Sequence, residues 1–393
     1  VKKIAFINQR YGLEVNGGSE YYTRLIAEQL KEIYQVEILT TKALDYVTWE
    51  NYYKEDCETI NGVTVKRFEV EQKRDLKRFS QATANVFQKI NPTDQDEQKW
   101  VDEQGPYCPA LINYIMEHEA EYDLFIFVTY LYYTTCIGIT KVWNKAVLIP
   151  TAHDEPYINM KIYKDVFCRC KAIVYLTDEE KALVERKFHN QDIPNVVTAI
   201  GIEAVEKNDL LDFQQVKGIN NYIIYVGRID ELKGCKWLFQ YFIEYKKRNH
   251  NDLKLVLMGK AVMDVPKHDD IISLGFVSEE DKLSGISGAK ALILPSHFES
   301  LSISVLEAFE MKTPVVVNGQ CEVLKGHCLK SNAGLYYYNY FEFEGCINFM
   351  LKHKDICEIM SGNGYHYVDE YFRWDIVVEK VQELFDKTME LNI

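Results

Sequence analysis

The sequence predicts an α/β protein built of two doubly wound, mainly parallel domains. Three observations carry this reading. At 393 residues the chain exceeds what a single core usually serves. Short apolar runs alternate with amphipathic helical stretches from end to end, the pattern of parallel strands with helices on both faces. One polar stretch, EAVEKNDLLDFQQVKGINN, interrupts that alternation and places a linker near 203–220.

Taken in order, the first half offers KIAFIN (3–8), VEILTT (36–41), LFIFVT (124–129), AVLIPT (146–151), AIVYLT (172–177) and NVVTAI (195–200) as buried strands. EYYTRLIAEQLKEI has the helical spacing expected between them. After the polar stretch come YIIYVG (222–227), LKLVLMG (253–259), ALILP (291–295) and PVVV (314–317). The chain closes on a helical pattern, WDIVVEKVQELFDKTMEL. YDLFIFVTYLYYTTCIGI is the most apolar stretch, but Asp123 and several threonines make it a buried strand followed by a helix rather than a membrane span. No tandem repeat or low-complexity tract is present.

The net charge of −14 argues against nucleic acid or anionic lipid as the main partner. Lys73, Arg74, Lys77 and Arg78 form one local basic cluster, read as a solvated helix face. Ten scattered cysteines without a CxxC pair fit a reduced, cytoplasmic chain with buried thiols. The opening VKKIAFINQR is too short in its apolar run for a signal peptide.

In open α/β sheets ligands bind beyond the carboxyl ends of the strands, so the loops there are read first. After the first strand, Gly17 and Gly18 sit at a helix entry, as a tight turn or as a substrate loop; this is not a GxGxxG dinucleotide fingerprint. After AVLIPT, His153 ends a strand beside Asp154, as a structural or a catalytic histidine. GRIDELKG places Arg228 and Lys233 around a loop that opens a helix at Gly234, either two fixed cations suited to a diphosphate or an ordinary surface loop with exposed charges. In HFESLSISVLEAFE, Glu299 lies at the crevice mouth and Ser300 or Ser302 is a candidate helix cap. Glu307 falls two turns into that helix, where a buried carboxylate needs a partner, a vicinal diol such as a ribose or a salt bridge, unless it lies on an exposed helix face.

Together these segments resemble the family 4 glycosyltransferases, retaining enzymes of GT-B fold with two Rossmann-like domains facing a central cleft. GRIDELKG is similar to the family's GR…KG diphosphate loop, ESLSISVLE to its E-x7-E motif and MKTPVVV to the strand that follows. NGGSE is similar to the glycine-rich loop of the amino-terminal domain, AHDE to the active-site histidine segment and AIGIE to that domain's end. The matches lie in order over nearly the whole chain.

The resemblance implies an acceptor-binding domain over 1–203, joined by the closing helix 373–393, and a donor-binding domain over 204–372. It implies diphosphate binding by Arg228 and Lys233, and ribose binding by Glu307. Donor sugar and distal phosphate fall to Glu299 and the backbone of Ser300, Leu301 and Ser302, with His153 near the transferred sugar. Asn318, Gly319 and Glu322 match a loop near the donor sugar, and Gly17 and Gly18 the glycine-rich loop.

There are departures. Ser300 and Ser302 stand where the family often has glycine, Lys312 replaces a common glycine before Thr313-Pro314, and Ile200 a common asparagine. The expected activity is retaining, metal-independent hexosyl transfer from a nucleotide sugar of UDP or GDP type to a glycan, lipid-linked or small-molecule acceptor, as in polysaccharide biosynthesis. No cofactor, no nucleic acid and at most peripheral membrane contact are expected. The rivals are a nucleotide-sugar epimerase of the same fold and a non-catalytic sugar-nucleotide-binding subunit. The tyrosines Tyr336, Tyr337, Tyr338 and Tyr340 are read as packing residues before sugar-stacking ones.

Overall fold

The computed structural model describes residues 1–15, 17–205, 210 and 212–390. The chain divides into two compact units, Val1–Gly201 with Asp375–Ile393, and Ile202–Trp374. The expected linker near 203–220 falls partly on residues 206–209 and 211, outside the described residues, as do Asn16 of the NGGSE segment and the last three residues of the closing segment. The described part of the linker includes a short helix, Phe213–Lys217, capped by the Asp212 carboxylate.

The first unit holds strands β1 (Lys3–Ile7), β2 (Gln35–Thr41), β3 (Cys57–Ile60), β4 (Val63–Phe68), β5 (Leu124–Val128), β6 (Ala146–Ile149), β7 (Ala172–Tyr175) and β8 (Asn195–Val197). They form one sheet in the order β3-β4-β2-β1-β5-β6-β7-β8. Ile4 pairs with Val36 on one side and Leu124 on the other, both in parallel register. Every residue of β5 is buried, as a strand covered by helices on both faces requires. The closing helix, Trp374–Glu390, joins this unit from Asp375 onward, where Asp386 accepts a 2.8 Å hydrogen bond from the Tyr34 hydroxyl.

One hairpin interrupts the parallel pairing. β3 and β4 form an antiparallel hairpin around Asn61-Gly62, both at positive φ, the geometry that an Asn-Gly two-residue turn favours. β4 alternates buried and half-buried residues, so it lacks the continuous apolar run that marks the inner strands.

The second unit holds β9 (Tyr222–Val226), β10 (Lys254–Met258), β11 (Ile271–Ser273), β12 (Leu292–Leu294), β13 (Val315–Asn318) and β14 (Gly334–Tyr337). All pair in parallel, in the order β11-β10-β9-β12-β13-β14. The chain steps one way from β9 to β10 and then returns to the other side of β9 with β12. The gap between β9 and β12 is therefore the topological switch point, where loops diverge and leave a crevice.

The tyrosine run divides. Tyr337 is buried against Phe343, with ring centroids 5.2 Å apart, and the half-buried Tyr340 packs on Tyr241 at 5.7 Å. Tyr336 and Tyr338 flank Gly319. The basic cluster is also not one helix face: Lys77 and Arg78 lie on helix Leu76–Phe87, whereas Arg74 precedes it and donates 2.9 Å to the Tyr46 carbonyl. No described helix is long and apolar enough to cross a membrane.

Candidate functional site

In the second unit the loop after β9 runs Gly227–Gly234 and opens the helix Cys235–Arg248. Arg228 is held by Asp230 at 2.9 Å, and its carbonyl accepts 2.7 Å from the Tyr225 hydroxyl. Gly234 caps the helix at φ 76°, and a Cβ there would fall 2.3 Å from the Pro295 carbonyl oxygen. Only glycine fits, on both conformational and steric grounds. That contact presses the β9 loop against the loop after β12.

The β12 loop carries Ser296, His297, Phe298, Glu299, Ser300, Leu301 and Ser302. Lys233 Nζ lies 2.7 Å from Glu299 Oε1, so the two flanks of the switch point are joined by an ion pair. The expectation that Ser300 or Ser302 caps the following helix does not hold. Ser302 is the residue before helix Ile303–Glu310, but it sits at φ 68° and its side chain makes no capping bond. A capping serine needs extended backbone; this one is in the left-handed region that glycine prefers.

The same boundary shifts Glu307, which lies one turn into the helix rather than two. It is 8% exposed, and its Oε1 accepts 2.7 Å from Lys282 Nζ on helix Glu279–Gly288. Burial pushes the Glu307 carboxyl up, against the opposing pull of Lys282. Burial also disfavours the Lys282 ammonium, but Glu307 and Glu279 outweigh it and hold its pKa above the ordinary lysine range.

Asn318, at the end of β13, donates 3.2 Å to the Pro295 carbonyl and accepts 3.0 Å from the Gln320 backbone. Gly319 is tied to Tyr337 by a 2.8 Å backbone bond. Glu322 is exposed at the start of helix Glu322–Ser331 and pairs with Lys325 at 3.4 Å. Arg228, Lys233, Glu299, Ser300, Leu301, Ser302, Asn318 and Gly319 thus gather on the loops at the carboxyl edge of one sheet. Glu307 lies on the helix that the β12 loop opens, and Glu322 at the start of the helix after β13.

Two residues that sequence reasoning did not single out brace this edge. Lys282 is one. The other is His327 on helix Glu322–Ser331, whose Nε2 lies 2.8 Å from the Leu301 carbonyl. A carbonyl oxygen only accepts, so Nε2 carries the proton and Nδ1 faces the Tyr367 hydroxyl at 3.4 Å. Burial pushes the imidazole down to about 4, so it stays neutral at ordinary pH.

In the first unit, Gly17 is the cap of helix Gly18–Leu30 in extended conformation. A Cβ on Gly17 would meet Glu20 Oε2 at 2.1 Å, whereas Gly18 faces open space. Glu20 accepts from Arg10 Nε at 2.9 Å and Gln9 at 3.0 Å, a buried cluster just past β1.

His153 does not end a strand: β6 stops at Ile149, and Thr151 at φ 49° turns the chain away. Its Nε2 lies 3.9 Å from Glu155, which also accepts 2.8 Å from the Tyr130 hydroxyl. Thr151 and Thr129, which follows β5 at φ 68°, are both β-branched residues in the left-handed region, joined by a 3.1 Å hydroxyl bond. Strain at such positions persists only where the surroundings impose it. The Glu180 carboxyl braces the segment just after Thr151: it accepts 2.5 Å from Ala152 N and 2.6 Å from Leu176 N, and burial pushes it up to about 8.

With this geometry in place, comparison with known proteins is informative. Residues 220–335, from β9 to the first half of β14, match the family described as Glycosyl transferases group 1. An uncharacterized glycosyltransferase of Methanocaldococcus jannaschii is 25% identical over 196 residues, 46% of this chain and 49% of that protein. The alpha-D-kanosaminyltransferase of Streptomyces kanamyceticus is 34% identical over 109 residues, 25% of this chain and 28% of that protein. The chain thus matches about half or less of these relatives' length.

Solved structures extend the likeness to the whole chain. The sucrose-phosphate synthase from Thermosynechococcus elongatus superposes with a TM-score of 0.73 at 14% identity, covering 100% of both chains. An Anabaena protein in complex with UDP and glucose gives 0.70 at 12% identity, covering 98% of this chain and 100% of that one. The chain has the GT-B fold. Its second unit carries the part that resembles group 1 glycosyltransferases in sequence.

Proposed function

We propose that the protein is a retaining glycosyltransferase that moves a hexose from a nucleotide-sugar donor to a carbohydrate, lipid-linked or small-molecule acceptor. The observation that carries this reading is the joined pair of loops at the β9/β12 switch point. Arg228 and Lys233 stand on one side, and Glu299 with the strained Ser302 turn on the other, with Lys233 and Glu299 2.7 Å apart. In the proposed complex Arg228 and Lys233 bind the diphosphate, and Glu307 accepts hydrogen bonds from the ribose hydroxyls. Glu299 and the backbone from Ser300 to Ser302 contact the donor sugar, with Asn318, Gly319 and Glu322 at its edge.

In this mechanism the acceptor hydroxyl attacks the anomeric carbon on the face from which the diphosphate departs. The carbon–oxygen bond to the diphosphate breaks as the new glycosidic bond forms. The acceptor's proton passes to a phosphate oxygen of the leaving group. Charge grows on that diphosphate, and the two fixed cations stabilise it more strongly in the transition state than in the ground state. Because they supply the counter-charge, turnover is expected to persist in chelator. His153 lies near the transferred sugar in this scheme, and Gly17 and Gly18 belong with the residues that bind the nucleotide sugar.

The testing experiment is NMR of the product's anomeric proton. An α-linked donor should give an α-linked product, and a β-linkage would refute the mechanism. A control with donor alone separates transfer from epimerisation, which changes the sugar without an acceptor.

A further inference from the structure

Lys282 sits in EEDKLSG, a segment with the look of an ordinary solvated helix start, yet its side chain is only 17% exposed and clamped between two carboxylates. Its Nζ lies 2.7 Å from Glu307 Oε1 and 2.5 Å from Glu279 Oε1. Glu279 faces solvent, so the Lys282–Glu307 contact is the inner half of this clamp. The charged groups that act most on Glu307, Lys282 and Glu279, both come from this one helix. Helix Lys354–Tyr371, packed along Ile303–Glu310 through Gly364 and Tyr367 against Phe309, brings apolar and aromatic contact instead.

The chemistry of a vicinal diol makes this pairing consequential. Two hydroxyl donors are satisfied by an ionised carboxylate, which accepts at both oxygens. A neutral carboxylic acid spends one oxygen on its own proton and loses that acceptor. A carboxyl as buried as Glu307 would otherwise drift to the neutral form. We infer that Lys282 is a positioning residue of the nucleotide site: its ammonium keeps Glu307 ionised and fixes one of its oxygens, so that the carboxylate can accept both hydroxyls of a ribose. This rests on the proposed assignment of Glu307 to the donor nucleoside.

The test is calorimetric titration of the full chain with UDP, GDP and ADP, and with the 2′-deoxy form of whichever binds, between pH 6 and 9. Lys282→Met should weaken binding about tenfold or more near pH 6.5, the scale of a lost charge-assisted bond. The loss relative to wild type should shrink as pH rises and Glu307 ionises unaided; taking the ratio cancels the titration of the phosphate itself. Discrimination against the 2′-deoxy nucleotide should fall in the same variant, and Lys282→Arg should restore both. Glu279→Gln, which touches only the outer half of the clamp, should leave wild-type behaviour largely intact.

Equal affinity of Lys282→Met and wild type at every pH would overturn the inference. So would a uniform loss with unchanged 2′-deoxy discrimination, the signature of a merely structural lysine. If Lys282→Met does not fold, Lys282→Gln and Lys282→Arg carry the same comparison. Failure of wild type to bind any of the three nucleotides would instead refute the site reading itself.

Discussion

Each unit buries a glutamate beside the carboxyl edge of its sheet, and the two are held in opposite ways. Glu180 in the first unit has two backbone N–H groups as partners. Burial outweighs them and leaves it a carboxylic acid up to about pH 8. Glu307 in the second unit has a lysine. The first arrangement braces the segment beside a strained turn and needs no net charge. The second sets an ammonium against a buried carboxyl, and a buried ion pair is weak evidence for stability. The difference teaches that burial alone does not assign a role: the partner set separates a brace from the carboxylate proposed to bind ligand.

The largest expected effect lies at the charges proposed to meet ligand. Lys233→Ala should lower turnover by roughly 10²-fold or more, on the scale of losing one preorganised donor to a developing anion, while Tm moves little because Lys233 sits on a loop. Steady-state kinetics beside a thermal melt checks this. A variant that unfolds while keeping its specific activity would erase the contrast between the two edges.

Next in size is Glu307→Gln, which keeps the shape and removes the charge. Affinity for the donor nucleotide should fall tenfold or more, since hydrogen bonds to charged groups are worth about 1.5–3 kcal/mol. Calorimetry decides it, and wild-type affinity in the variant would move Glu307 into the same class as Glu180.

Glu180 then sharpens the comparison through pH. Its folded pKa, about 8, stands above the ordinary glutamate value of 4.5. Between those values the folded state holds a proton that the unfolded state has released, so stability is full below pH 4.5 and declines as pH rises toward 8. The slope is at most about 1.4 kcal/mol per pH unit for one group. Urea unfolding at several pH values should show this decline, and Glu180→Gln should flatten it. An unchanged slope in the variant would show that another group carries it.

The smallest effect belongs to backbone strain. Ser302 at φ 68° and Lys312 at φ 56° both sit where an L-residue is strained. Ser302→Gly should raise stability by about 1 kcal/mol or less, the steric relief being offset by glycine's greater unfolded freedom. A thermal melt resolves it. Lys312→Gly should gain less, because its ammonium lies 4.7 Å from the Tyr365 ring centre and that contact would be lost.

Much of the framework was legible because inner parallel strands are continuous apolar runs, as β5 and β9 show. β3 and β4 escaped because a half-exposed hairpin alternates polar and apolar residues; the Asn61-Gly62 turn was the available signal. The β9 and β12 loops announced themselves by position, just past strand ends. Lys282 and His327 did not, because each is a lone polar residue on a helix whose partner lies far away in sequence, at Glu307 and Leu301. Ser302 misled for a physical reason: serine is the favoured cap in extended backbone, and nothing in the letters reports φ.

The His327 tether has a further use. Its ring is held in one tautomer by a carbonyl that belongs to the very loop proposed to embrace the donor. The 15N resonances of that imidazole are therefore an internal reporter, set apart from those of exposed histidines by a neutral form that persists down to about pH 4. A ligand that shifts the Leu301 carbonyl will move the Nε2 signal without touching the ring. The protein thus carries its own spectroscopic gauge of loop geometry, readable with no label beyond the isotope.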